Sequence, residues 1–139
     1  LWVGEDIRTS KKLFSKVARS MLQKQALTFD HCSQLRDFLH VDEVASALLK
    51  ILFSHHRGAI NIGSNNPITI RDFIVLIAGA LNADHLVQFS EPLDPHCQDI
   101  VVPDTSLLCH TLIWHAARSN IANIRQICAS LTTDKKDFQ

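Results

Sequence analysis

The sequence has no tyrosine and only four glycines, Gly4, Gly58, Gly63 and Gly79. Glycines so sparse form no Gly-x-x-Gly-x-x-Gly turn, so the close backbone approach that a dinucleotide pyrophosphate requires has no cradle. Gly63-Ser64-Asn65-Asn66-Pro67 is the densest turn signal, but one glycine followed by two asparagines and a proline makes a turn, not a phosphate cradle. The missing tyrosine removes phenol from the acid–base groups on hand. No Gly-x-Ser-x-Gly occurs either, which leaves serine-nucleophile schemes unsupported. Charge of one sign is also lacking. Lys+Arg and Asp+Glu each number 14, so no basic field exists to draw in a nucleic-acid backbone. The apolar stretch Val44 to Phe53 is broken by Ser46 and Lys50 and falls short of the ~20 residues of a membrane helix. No nucleic-acid partner and no membrane span are expected. The opening Leu1-Trp2-Val3-Gly4-Glu5-Asp6 carries neither an initiating methionine nor a targeting pattern, and reads as a chain entered mid-protein.

Cysteines are few and widely spaced, at Cys32, Cys97, Cys109 and Cys128, which argues against a disulfide scaffold and for a reducing, cytoplasmic setting. His-Cys adjacency at His31-Cys32, His96-Cys97 and Cys109-His110 invites a zinc reading. Sequence neighbours point apart on a helix or strand, however, and no Cys-x2-Cys or His-x3-His spacing occurs, so no metal site is expected.

What is present is enough for one core: 139 residues, 46% of them hydrophobic. Leu13, Phe14, Val17, Ala18, Met21 and Leu22 recur on one face and predict a helix over roughly 11–24 capped by Ser10. A second helix is expected after Asp42 as cap, with Val44, Ala45, Leu48, Leu49, Ile51 and Leu52 as a broad apolar stripe ending near Gly58. Ala59-Ile60-Asn61-Ile62 reads as a short strand. Thr69-Ile70-Arg71-Asp72 is a near-capping-box that opens a third helix with Phe73, Ile74, Ile77 and Leu81 on one side and Arg71 on the exposed side. Leu86 to Phe89 suits a strand, and Ile100 to Val102 forms a further apolar piece. A short helix is expected to close at Trp114, and a last helix starts at Ser119 or Asn120. The fold class is α/β, a mixed α+β lobe: residues 1–131 form it, and 132–139 are a polar tail.

The stretch Gln34-Leu35-Arg36-Asp37-Phe38-Leu39-His40-Val41-Asp42-Glu43-Val44-Ala45 resembles a Q-x-R-D-[FY]-[ILV]-[HY]-V-x-D-V-A pattern. That pattern belongs to NAD(P)-dependent epimerases/dehydratases of the extended short-chain dehydrogenase type. Gly58 to Ser64, Ile68 to Asp72, Asp104-Thr105-Ser106 and Leu112-Ile113-Trp114 resemble later family elements in order. The resemblance implies the C-terminal, substrate-binding part of an extended Rossmann-type enzyme, with its N-terminal Rossmann domain absent from this chain.

On that resemblance, Arg36 matches the arginine that contacts the diphosphate of a nucleotide-sugar (NDP-sugar) substrate, a role suited to a planar guanidinium. The alternative for Arg36 is an ion pair with Asp37 or a nearby carboxylate. Leu27 and Phe29 match positions packed around the nucleotide base, with plain core packing as their alternative, and Asp94 is a candidate sugar or ribose contact. The family's chemistry uses NAD(P) and a Tyr-x-x-x-Lys pair. Neither the cofactor turn nor the pair is here, so no catalytic or cofactor-binding residue is assigned and the chain alone is expected to be inert. His40 is read as structural. A homodimer in the parent enzyme is a further implication. The competing reading is a stand-alone remnant or pseudoenzyme acting as a binding or interaction module. Departures from the pattern are Asp30, His31 and Cys32 in place of glycines, Glu91-Pro92-Leu93-Asp94 without the family's arginine, Leu107 for lysine and Ile113 for glycine. Neither the sugar, nor the choice among epimerisation, dehydration and reduction, is written in these residues.

Overall fold

The computed structural model describes residues 2–3, 10–94, 96, 99–118 and 120–133. Cys97, Ser119 and the start of the chain up to Thr9, apart from the backbone of Trp2–Val3, lie outside the described residues, as do 134–139 of the expected tail. The first helix, α1 (Leu13–Leu22), buries Phe14, Val17, Ala18 and Met21, the face its periodicity predicts. Ser10 is not its cap. Lys12 holds that position without a side-chain cap bond, while Ser10 Oγ accepts the Lys12 N–H at 3.2 Å and shapes the approach to the helix.

Among the described residues the strands are short and arranged in three small sheets. β1 (Trp2–Val3) runs parallel to β4 (Leu39–His40), and β2 (Leu27–Phe29) runs parallel to β6 (Val87–Phe89). β3 (Leu35–Arg36) lies between antiparallel β5 (Ile68–Thr69) and parallel β7 (Ile100–Val101). The expected strand at Ala59–Ile62 does not form. That segment has no ladder partner among the described residues and is held by side chains instead: Asn61 Nδ2 donates to Asp104 O at 3.0 Å, and Ile60 and Ile62 pack inward.

The second helix, α2 (Val41–Leu52), starts two residues earlier than expected. His40, not Asp42, is its cap: His40 Nδ1 accepts the Asp42 N–H at 3.1 Å, which requires a lone pair on that nitrogen. Asp42 instead sits in the first turn, where its carboxylate meets the positive end of the helix dipole. In α3 (Ile70–Ala80) the expected box is present. Thr69 Oγ1 accepts the Asp72 N–H at 2.9 Å and donates to Asp72 Oδ2 at 2.7 Å. α4 (Asn120–Thr133) packs on α3 through Ile124, Ile127 and Cys128.

Two hydrophobic cores result. The larger gathers α1, α3 and α4 around Phe73, whose ring stacks on Phe38 with centroids 3.7 Å apart and planes 3° apart. The smaller joins Leu39 and Ala47 to Leu108, Leu112 and Trp114. The expected helix before Trp114 is a single π-type turn, Leu107–Thr111. Trp114 is fastened to α2 by its indole N–H, which donates to Ser46 Oγ at 3.1 Å, and Ala117 N–H donates to the buried Glu43 carboxylate at 3.1 Å.

Ile113 stands at the glycine position of the resembled motif and carries φ +50°, with its side chain 76% exposed. A β-branched residue in the left-handed region costs roughly 1–3 kcal/mol and here gains little packing in return. Ile113→Gly is therefore expected to raise stability by about 1 kcal/mol, less than the relieved strain because glycine has more chain entropy to lose. A urea midpoint that falls in the variant would refute this.

Candidate functional site

Residues 27–29 and 35–36 pair in parallel with 87–89 and 100–101. Leu27 pairs with Val87 and Phe29 with Phe89; beyond the intervening loops, Leu35 pairs with Ile100 and Arg36 with Val101. The loops themselves are tied by Ser33 Oγ, which accepts the Asp94 N–H at 2.7 Å. All four sequence-derived site residues thus lie on one two-segment ribbon, with Leu27 and Phe29 on β2, Arg36 on β3 and Asp94 between β6 and β7. No hydrogen bond, ion pair or ring contact joins the four among the described residues.

Phe29 is half-buried and its ring lies 5.9 Å from that of Phe89, tilted by 33°. Above Phe89, at 4.1 Å from its centroid, sits the guanidinium carbon of Arg71. Arg71 also donates through Nη1 to Glu91 O at 3.0 Å. The expectation of a solvated Arg71 is corrected on this point: it is half-buried, because its planar cation has an aromatic face and a carbonyl within reach. Phe89 and Arg71 escaped the sequence reading. A strand ending in phenylalanine was visible, but its register opposite Phe29 was not.

Arg36 pairs with a carboxylate, and the partner is Asp99, not Asp37. Nη2 meets Asp99 Oδ2 at 2.7 Å, while Nη1 donates to the carbonyls of Leu35 and Asp99, both at 2.8 Å. Asp37 has a different task. It is 2% exposed, and its carboxylate accepts the Ser64 N–H at 2.8 Å, the Asn65 N–H at 3.3 Å and the Ser64 hydroxyl. Asp94 uses its own carboxylate locally, accepting the His96 N–H at 2.8 Å.

In the loop where glycines were expected, Cys32 adopts φ +49°, a conformation glycine takes without strain. Its thiol donates to Asp30 Oδ1 at 3.2 Å. Burial, with the Asp30 carboxylate adding to it, pushes the Cys32 thiol up to about 11, and burial does the same at Cys128. Both stay protonated near neutral pH, which makes them packing residues and not nucleophiles. Asp30 is correspondingly held below the ordinary carboxylate value by the hydrogen bonds from Cys32.

The turn at Gly63 leaves no room for a phosphate. A Cβ there would fall against Pro103 Cγ and 2.5 Å from Asp37 Oδ2. The space is filled by the chain's own side chains, so the residues present do not fit a dinucleotide. Among the described residues no group of three or more His, Cys, Asp or Glu is placed to hold a metal ion, and no helix is long and apolar enough to cross a membrane.

A family model described as the NAD dependent epimerase/dehydratase family matches residues 2–63, from β1 through α2 to the Gly63 turn. The match covers less than half of this chain's 139 residues. The chain's fold is that of solved epimerases and dehydratases. dTDP-glucose 4,6-dehydratase from Bacillus anthracis, in complex with NAD, superposes with a TM-score of 0.76 at 18% identity, over 93% of this chain and 42% of that one. UDP-glucose 4-epimerase from Thermotoga maritima, with UDP-glucose, gives 0.79 at 17% identity, over 95% and 43%. UDP-glucose 4-epimerase from Thermus thermophilus, with NAD, gives 0.76 at 21% identity, over 96% and 44%. The chain therefore spans less than half the length of these epimerase/dehydratase structures. No curated protein matches it.

Proposed function

We infer that this chain is the sugar-nucleotide-binding part of an NAD(P)-dependent epimerase or dehydratase, with residues 1–131 as the lobe. The observation that carries the reading is the two-segment ribbon, which bears the Phe29–Phe89 ring pair, Arg36 and Asp94 in a chain with the epimerase/dehydratase fold and a match to that family's model over residues 2–63. Leu27 and Phe29 would pack about the base, Arg36 would meet the diphosphate, and Asp94 would face the sugar or ribose. On this reading the cofactor is held elsewhere, and the filling of the Gly63 turn by Pro103 and Asp37 supports it.

A missing partner is supported by α2, whose outer face leaves Leu48, Leu49, Leu52 and Phe53 between 53% and 83% exposed. Apolar patches of that kind cover themselves against another surface. The occupant this reading assigns is an N-terminal Rossmann domain.

Calorimetry tests both halves of the reading. The isolated chain is expected to show no saturable NAD(P) binding and no turnover, while the complete polypeptide containing it binds NAD(P) and a UDP- or dTDP-sugar. Saturable NAD(P) binding by the isolated chain would overturn the placement of the cofactor. A folded complete polypeptide that binds no NDP-sugar would transfer support to the non-catalytic module.

A further inference from the structure

A guanidinium carries its N–H donors in a planar fork with two usable edges, one end-on between Nη1 and Nη2 and one side-on between Nε and Nη2. In Arg36 the end-on edge is closed. Asp99 alone closes it, with its backbone carbonyl on Nη1 and its carboxylate on Nη2, while the other Nη1 donor is spent on Leu35 O. Nε–H and the second Nη2–H take no partner among the described residues, and they form the side-on edge. The Arg36 side chain is 17% exposed and that of Asp99 is 55% exposed, so the carboxylate stands at the rim with the guanidinium behind it.

We propose that Asp99 is a specificity-setting residue of the anion site at Arg36. It confines an incoming phosphate to the side-on edge and places a fixed negative charge beside it. The proposal rests on the reading of Arg36 as a diphosphate ligand. Asp99 already neutralises the cation, so an anion reaching Arg36 gains only the difference between its own contact and the repulsion it meets. Asp99 thereby sets how much of the arginine's attraction reaches the ligand, and Arg36 binds more weakly than an unpaired arginine would.

The test uses UDP as probe, with calorimetry on the complete polypeptide. Asp99→Asn keeps an acceptor for Nη2 and removes the charge. It is expected to tighten UDP by about three- to tenfold, a modest gain because the carboxylate is half solvated. Asp99→Glu restores the charge and is expected to bind like the parent. In an Arg36→Ala background the gain from Asp99→Asn disappears. A carboxylate that only clamps β7 to β3 would lower the thermal midpoint on substitution without tightening UDP. Should Asp99→Asn disturb the β7 edge, Asp99→Ser must show the same tightening. If Arg36→Ala weakens UDP while the neutral Asp99 variants bind no tighter, the inference on Asp99 falls and Arg36 keeps its role. If Arg36→Ala leaves UDP affinity unchanged, both fall.

Discussion

Asp37→Ala is expected to cost roughly 3–5 kcal/mol of stability, a large share of the ~5–15 kcal/mol that holds a domain folded. The carboxylate is buried and gathers the backbone of Ser64 and Asn65, together with the Ser64 hydroxyl, into one turn. Alanine leaves those donors facing protein with nothing to accept them, and the loss is the full desolvation of each group, not the smaller net value of a hydrogen bond. Asp37→Asn keeps one acceptor oxygen and should lose roughly half as much. Gly63→Ala should act in the same direction, because its methyl would meet the same carboxylate and Pro103. Urea unfolding of the three variants checks the set. A loss below about 1 kcal/mol for Asp37→Ala would mean that the turn holds itself and the carboxylate is incidental.

Arg36→Ala, made in the complete polypeptide, is expected to weaken NDP-sugar binding by about ten- to a hundredfold, on the order of 1.5–3 kcal/mol, and to leave NAD(P) affinity unchanged. Arg36→Lys should recover only part of this, since an ammonium keeps the charge and loses the fork. Arg71 does not serve as a control, because it is bound to Phe89 and Glu91 beside the same ribbon. Lys16, exposed on α1, does. Equal NDP-sugar affinity for Arg36→Ala and Lys16→Ala, with the fold intact by circular dichroism, would reduce Arg36 to the structural partner of Asp99.

Helix faces and the Thr69 box were legible because their signals are local: a recurrence of three and four residues, or a hydroxyl three residues before an acid. The run from Arg36 to His40 was legible as a unit because its residues are contiguous. Its division of labour was not. Arg36 pairs with Asp99, Asp37 ties a turn, Phe38 enters the larger core, Leu39 enters the smaller, and His40 caps α2. Aspartate is a preferred cap and histidine is not, so the sequence points to Asp42, whereas the path of the backbone gives the place to His40. Asp99 and Phe89 stayed hidden for a related reason, since their partners lie some sixty residues away and no period connects them. Ala59 to Ile62 misled because apolar alternation reports a buried face, while a strand also needs a neighbour to pair with.

The Arg36 to His40 run is also the seam between two cores of unequal size, and unequal cores open at different free energies. The smaller one is walled by α2, whose outer face is bare, so amide protons of α2 are expected to exchange through local opening more readily than those around Phe73 in α3. On the proposed reading, the least protected helix is the one a Rossmann domain would cover, and slowed amide exchange in α2 would mark its arrival.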